Sequence, residues 1–157
     1  MRTARALANQ KLYHAALHQR MLARELARND VAASILLEAV GRSVQQQLRD
    51  AYGWFLLELA AVEDLPTSPL HSVAQLCAAH DVDQPLRGEL VELMNLEQRP
   101  GWLLELLSDR PLSVAGAGSA PAGLSLVQSD WSQAELQDWY EALADLIERM
   151  SDSLDEW

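Results

Sequence analysis

Ala51-Tyr52-Gly53-Trp54-Phe55-Leu56-Leu57-Glu58-Leu59-Ala60-Ala61-Val62 is the most apolar run of the chain. It is twelve residues long and contains one Glu, whereas a membrane span needs roughly 20 apolar residues. Working back from it, Val40, Val44, Leu48, Ala51, Phe55, Leu59 and Val62 recur at three- and four-residue spacing and mark one helical face. Beyond Ala51 the pattern is apolar nearly all round, which predicts the most buried helix of a soluble bundle, over about 31–62. Gly41 and Gly53 interrupt it. Each costs about 1 kcal/mol relative to Ala in a helix, so each predicts a close approach or a local kink.

The rest of the composition agrees. The 157 residues include 29 Leu and 23 Ala but only two Ile and one Phe. Leu and Ala favour helices, while the β-branched and aromatic residues that favour strands are scarce. The length suits one domain over 1–157 with a sizeable core. The expected fold is therefore all-α, a single-domain antiparallel four- to five-helix bundle.

Residues 3–28 read as a first helix, with Leu12, Ala15, Ala16, Leu22, Ala23 and Leu26 on its apolar side. Asn29-Asp30 breaks it, and Asp30 is expected to cap the second helix, which returns as a hairpin. Leu65-Pro66-Thr67-Ser68-Pro69 is a turn, with Ser68 and Pro69 expected to start a short helix to about His80. Pro85 opens another, Arg99-Pro100-Gly101 interrupts it, and Trp102 to Leu107 resumes. Together these short pieces supply a further wall. Pro111, Gly116, Gly118, Pro121 and Gly123 make 110–130 a long irregular loop. Ser132-Gln133-Ala134-Glu135 is a capping box, with Trp131 and Leu136 as a hydrophobic staple. The last helix then carries an apolar stripe of Leu136, Trp139, Leu143, Leu146, Met150, Leu154 and Trp157.

The order of these features resembles a small uncharacterised family of helical proteins from gammaproteobacteria, a domain of unknown function. The resemblance rests on Asn9-Gln10-Lys11-Leu12-Tyr13, Ala51-Tyr52-Gly53, Leu90-Val91-Glu92-Leu93, Trp102-Leu103-Leu104 and the ending Ser153-Leu154-Asp155-Glu156-Trp157. It implies a bacterial origin and an all-helical fold, and it carries over no activity, cofactor or catalytic residue.

Catalytic signatures are missing from the sequence. The single Lys, Lys11, is followed by Leu, so there is no phosphate loop. Ser119 lies outside any G-x-S-x-G elbow, and Gly116-Ala117-Gly118 does not stand between a strand and a helix. No Arg is followed by a His at the four- to six-residue distance of toxin-type helical ribonucleases, and no Glu-x-x-His pair supports a di-iron bundle. The expectation is a non-enzymatic protein without a cofactor.

Two His/Cys pairs support an alternative, a metal- or small-ligand-binding bundle. His14 and His18 are four apart, and Cys77 and His80 are three apart, so four ligands would converge if the two helices met. The blander assignment makes Cys77 a small core residue and leaves the histidines on partly exposed faces. One cysteine cannot form an internal disulfide, and no signal-peptide core or membrane span is evident, so the expected setting is the cytoplasm.

Charge carries the main functional hint. The chain holds 12 basic and 23 acidic side chains, a net charge of -11, which disfavours nucleic acid and anionic membranes. Residues 1–60 have eight basic and five acidic groups, whereas 61–157 have four and eighteen. Asp138, Glu141, Asp145, Glu148, Asp152 and Asp155 repeat along the last helix; Arg20, Arg24 and Arg28 form a stripe on the first. The preferred expectation is a protein-interaction or adaptor bundle docking an unknown protein partner through the acidic helix. Two further readings are pairing of the stripes between neighbouring helices, or between copies in a homodimer.

Overall fold

The computed structural model describes residues 2–82, 84–109, 113–114, 127–128 and 132–156. Helix α1 spans Ala4–Arg28. Helix α2 runs over 33–59 in three continuous parts: an α-helical turn Ala33–Leu36, a π turn Leu37–Gly41 and the long segment Arg42–Leu59. Three short helices follow, α3 (Val73–Ala79), α4 (Gly88–Gln98) and α5 (Trp102–Leu107). The last helix, α6, spans Gln133–Asp155. The all-α class is as expected. Within 110–130 the described residues form one antiparallel pairing, β1 (Ser113–Val114) with β2 (Val127–Gln128), so the stretch is not wholly irregular. The remainder of it, and the Trp131 and Trp157 contacts expected above, lie outside the described residues.

Helix α2 is the axis of the fold and packs against every other helix. Val44, Leu48, Ala51, Phe55 and Leu59 of its expected stripe are buried, as are Tyr52, Leu56 and Leu57 on its other sides. Burying each large side chain contributes roughly 1.5–3 kcal/mol, so this helix dominates the core. Helix α1 lies antiparallel to it: Lys11 pairs with Asp50 at 3.6 Å, and His18 Nδ1 lies 2.9 Å from Ser43 Oγ. Arg5, at the start of α1, also reaches Asp155 at the end of α6. Thus α1 is antiparallel to both α2 and α6, and these two run parallel. A parallel pair needs a long crossover, which α3, α4, α5 and the segment after them provide.

The two glycines act differently. Gly41 ends the π turn, a local widening of the helix, and is buried. At Gly53 an added Cβ would lie 2.0 Å from the Leu70 carbonyl oxygen. The close neighbour is therefore the non-helical segment at Pro69-Leu70, not another helix.

Caps explain most corrections at helix ends. Asp30 does not cap α2, whose N-cap is Ala32; its carboxylate instead accepts from Arg28 Nε at 3.2 Å. Helix α3 starts after Ser72, not Ser68, because Ser72 Oγ accepts from the Gln75 N–H and Gln75 Oε1 accepts from the His71 N–H. The α4 helix begins at Gly88, three residues after Pro85. Ser132 caps α6 as expected, accepting from the Glu135 N–H at 3.1 Å.

Helix α2 stops at Leu59 because Ala61 turns left-handed (φ 52°), letting the Val62 N–H reach Leu57 O and the Ala61 N–H reach Glu58 O. An L side chain there costs about 1 kcal/mol or more. Ala61→Gly is expected to raise stability by about 0.5–1 kcal/mol, read as a higher urea midpoint at unchanged slope.

Candidate interaction surface

Internal polar pairing decides which charges remain available on the surface. Glu58, the one acid in the apolar run, is consumed at the start of α1. Its carboxylate accepts from the Arg5 backbone N–H at 3.1 Å and from Arg5 Nε at 3.0 Å. The outer nitrogens of Arg5 hold Asp155 in a two-pronged pair at 3.1 and 3.2 Å. One arginine therefore joins the ends of α1, α2 and α6.

A second pairing closes α5. Gln45 is 5% exposed and donates to Leu106 O at 3.0 Å. One turn later Arg49 donates to Leu106 O at 2.8 Å and to Ser108 O at 2.6 Å. Carbonyls at a helix C-terminus lack helical donors and carry partial negative charge, so an arginine there satisfies both needs. Arg49→Met is expected to cost about 1.5–3 kcal/mol, the range for hydrogen bonds involving a charged group, measurable by urea denaturation.

The third is a half-buried cluster at the α2–α4 crossing. Tyr52 is fully buried, and its hydroxyl donates to Glu97 Oε1 at 2.6 Å. The same oxygen accepts the Val73 N–H at 2.9 Å, at the first turn of α3. Burial pushes the Glu97 carboxyl above its ordinary value, against the opposing pull of these two donors. Burial also raises the Tyr52 phenol, reinforced by the nearby Glu97 carboxylate, so it stays a donor.

The acids of α6 stand apart from this pairing. Leu136, Trp139, Leu143, Leu146 and Met150 face the core, which turns Asp138, Glu141, Asp145, Glu148, Asp152 and Asp155 outward, all exposed. Asp155 is held by Arg5, and Glu141 accepts from Gln137 at 2.8 Å. Among the described residues Asp138, Asp145, Glu148 and Asp152 have no ion pair. Beside them Arg149 reaches across to α4, giving Glu92 a two-pronged pair at 2.5 and 3.3 Å.

That bridge lies in a groove of about 780 Å³, open to solvent, between α4, α5 and α6. Its floor includes Leu96, Trp102, Ala142 and Leu146, and its rim carries Asp145, Glu148 and Asp152. Periodicity identified the acids but not the groove, because Leu96 and Trp102 come from separate short helices. The Glu92–Arg149 pair, 57 residues apart, has no local sequence signal.

Arg20, Arg24 and Arg28 are exposed on the outer face of α1. Arg28 pairs with Glu25 and Asp30, while Arg20 and Arg24 have no ion pair among the described residues. The stripe does not pair with the α6 acids, despite the packing of the two helices; Arg5 makes that connection. Tyr13 (59% exposed) and Met21 (55%) share this outer face.

The metal alternative gains no support. Among the described residues no group of three or more His, Cys, Asp or Glu is placed to hold a metal ion, so His14, His18, Cys77 and His80 do not form one site. His18 instead faces Ser43. Cys77 is exposed, which corrects its assignment to the core: α3 buries Val73 and Leu76, and Cys77 follows on the outer side.

The whole chain, residues 1–157, matches the family described as "Family of unknown function (DUF6586)". The protein belongs to this family. No curated protein and no solved structure matches it. Family membership accordingly accounts for the resemblance in the sequence and assigns no activity. No helix among the described residues is long and apolar enough to cross a membrane.

Proposed function

We propose that this member of the family is a non-catalytic interaction or adaptor module of the bacterial cytoplasm, docking a basic protein partner through the outer face of α6. The supporting observation is that Asp138, Asp145, Glu148 and Asp152 are exposed in one row without ion pairs among the described residues, while Glu58, Glu92 and Glu97 are engaged by other helices of the chain. A row of unpaired like charges repels itself, and an oppositely charged partner relieves that repulsion and is steered toward it. Reversing Asp138, Glu141, Asp145 and Glu148 to Lys leaves the core untouched. The reversed protein should lose the salt-sensitive partners that wild type retains from lysate of the native organism. Recovery of the same partners by both proteins rejects the proposal.

A second reading is supported by Arg20 and Arg24, which have no ion pair among the described residues. It places the basic stripe of one copy on the acidic stripe of another in a homodimer. Light scattering should then give twice the chain mass at low salt and a falling mass as salt rises; a monomer throughout rejects it.

A further inference from the structure

We infer that the groove between α4, α5 and α6 receives an amphipathic basic helix of the partner, with aliphatic side chains on Leu96 and Trp102 and Lys or Arg against Asp145, Glu148 and Asp152. This rests on the α6 docking reading and specifies its occupant. Three features of the groove carry the inference.

First, its floor is apolar and its rim acidic. Leu96 and Trp102 are half-buried and Leu146 nearly covered, while Asp145, Glu148 and Asp152 stand at the edge. A purely basic, unstructured chain would satisfy the rim and leave the floor wet. A small apolar ligand would do the reverse, in a groove too open to enclose it.

Second, the groove already holds a guanidinium. Arg149 of α6 lines it together with Leu146, one helical turn earlier, and is clamped by Glu92 of α4. This is how a long basic side chain uses such a surface, with its stem on apolar atoms and its head on carboxylates. An incoming Lys or Arg would repeat the arrangement with Asp145, Glu148 or Asp152, which have no such cation among the described residues.

Third, the spacing is helical. Asp145 and Asp152 are seven residues apart, and Glu148 lies between them. The acids thus form a rail along about two turns, or ~10 Å of helix at 1.5 Å per residue. A helix lying along α6 presents its own side chains at three- and four-residue spacing, in register with such a rail. An extended strand, with side chains on one face about 7 Å apart, does not keep that register.

The test uses the full chain and three synthetic 14-residue probes: an amphipathic Leu/Lys helix, its composition-matched scramble and oligolysine. Isotope-labelled protein is titrated with each, and binding is followed at the Trp102 indole and at the amides of Leu96, Ala142 and Leu146. The amphipathic helix should shift these signals and bind at least tenfold more tightly than either control. Asp145→Lys with Glu148→Lys should weaken it at least tenfold. Arg149→Gln removes a competing cation and should tighten it several-fold, with circular dichroism verifying that each variant stays helical. Equal binding of all three probes without a Trp102 shift overturns the groove inference while leaving the acidic face intact. Absence of binding by all three, combined with unchanged lysate partners in the fourfold reversal above, overturns both.

Discussion

Gly53→Ala should lower unfolding free energy by about 3 kcal/mol, at the upper end of the range for overpacked cores. Helix propensity alone predicts the opposite sign, because Ala is favoured over Gly by about 1 kcal/mol. The clash decides the outcome. A Cβ at position 53 would lie 2.0 Å from Leu70 O and 2.9 Å from both Leu70 N and Pro69 Cβ. Two of these are backbone atoms, which cannot rotate away, so the 65–72 segment must lift from α2. Lifting it exposes Leu70, now 5% exposed, and disturbs the start of α3, where Val73 is fully buried. Gly88→Ala is the matched control. Nothing lies within 4 Å of its added Cβ, so propensity should win and the change should be neutral or slightly stabilising. Urea midpoints for the two variants measure the difference. A Gly53→Ala midpoint equal to wild type would falsify the close packing of Leu70 on α2.

Removal of the Glu97 carboxylate should be comparably damaging. Glu97→Ala leaves the buried Tyr52 hydroxyl and the Val73 N–H without their acceptor. Each unsatisfied donor costs about 1–3 kcal/mol, so a total of about 2–6 kcal/mol is expected. Glu97→Gln retains an acceptor oxygen and should recover most of that loss. The two variants therefore separate loss of hydrogen bonds from loss of charge.

The pH dependence gives an independent measurement. Burial raises the Glu97 carboxyl above its ordinary value in the folded state. The folded protein thus binds this proton more tightly than the unfolded chain. The resulting stabilisation is fully present below the ordinary carboxylate value and is lost as pH rises through the raised one. Wild type minus Glu97→Gln, in unfolding free energy, should therefore decline with rising pH across that window and become flat above it. A difference that rises with pH would show that the two hydrogen bonds outweigh burial.

Much of the fold was legible in local pattern. The stripe from Val44 to Leu59 and the stripe from Leu136 to Met150 each identify a buried face, because a helix repeats every 3.6 residues whatever it packs against. Ser132 was legible as a cap because its hydroxyl bonds a backbone N–H only three residues away. Where competing caps stood close together, local signals were insufficient. Ser68-Pro69 is a good helix start in isolation, yet Ser72 caps α3 because the chain before it is pressed against Gly53.

For the candidate surface, sequence located the acids and tertiary structure decided what they can do. Asp155 and Asp145 look equivalent in the α6 pattern, but only Asp155 meets Arg5, across 150 residues of chain. Glu58 likewise looks anomalous in its apolar run until α1 brings a backbone N–H and a guanidinium to it. The same limit applies to His14, His18, Cys77 and His80, whose spacings are compatible with ligation but which share no site among the described residues.

By itself, then, the sequence determined the helical class, the two long buried faces and the outward row of acids, all consequences of short-range periodicity. Only the tertiary structure decided that α2 and α6 run parallel, that Leu70 lies on Gly53, and that Leu96, Trp102 and Arg149 share a groove. Those outcomes depend on which distant surfaces exclude water together. A single helix does not encode that choice, because its apolar face is compatible with many partners until the whole core closes.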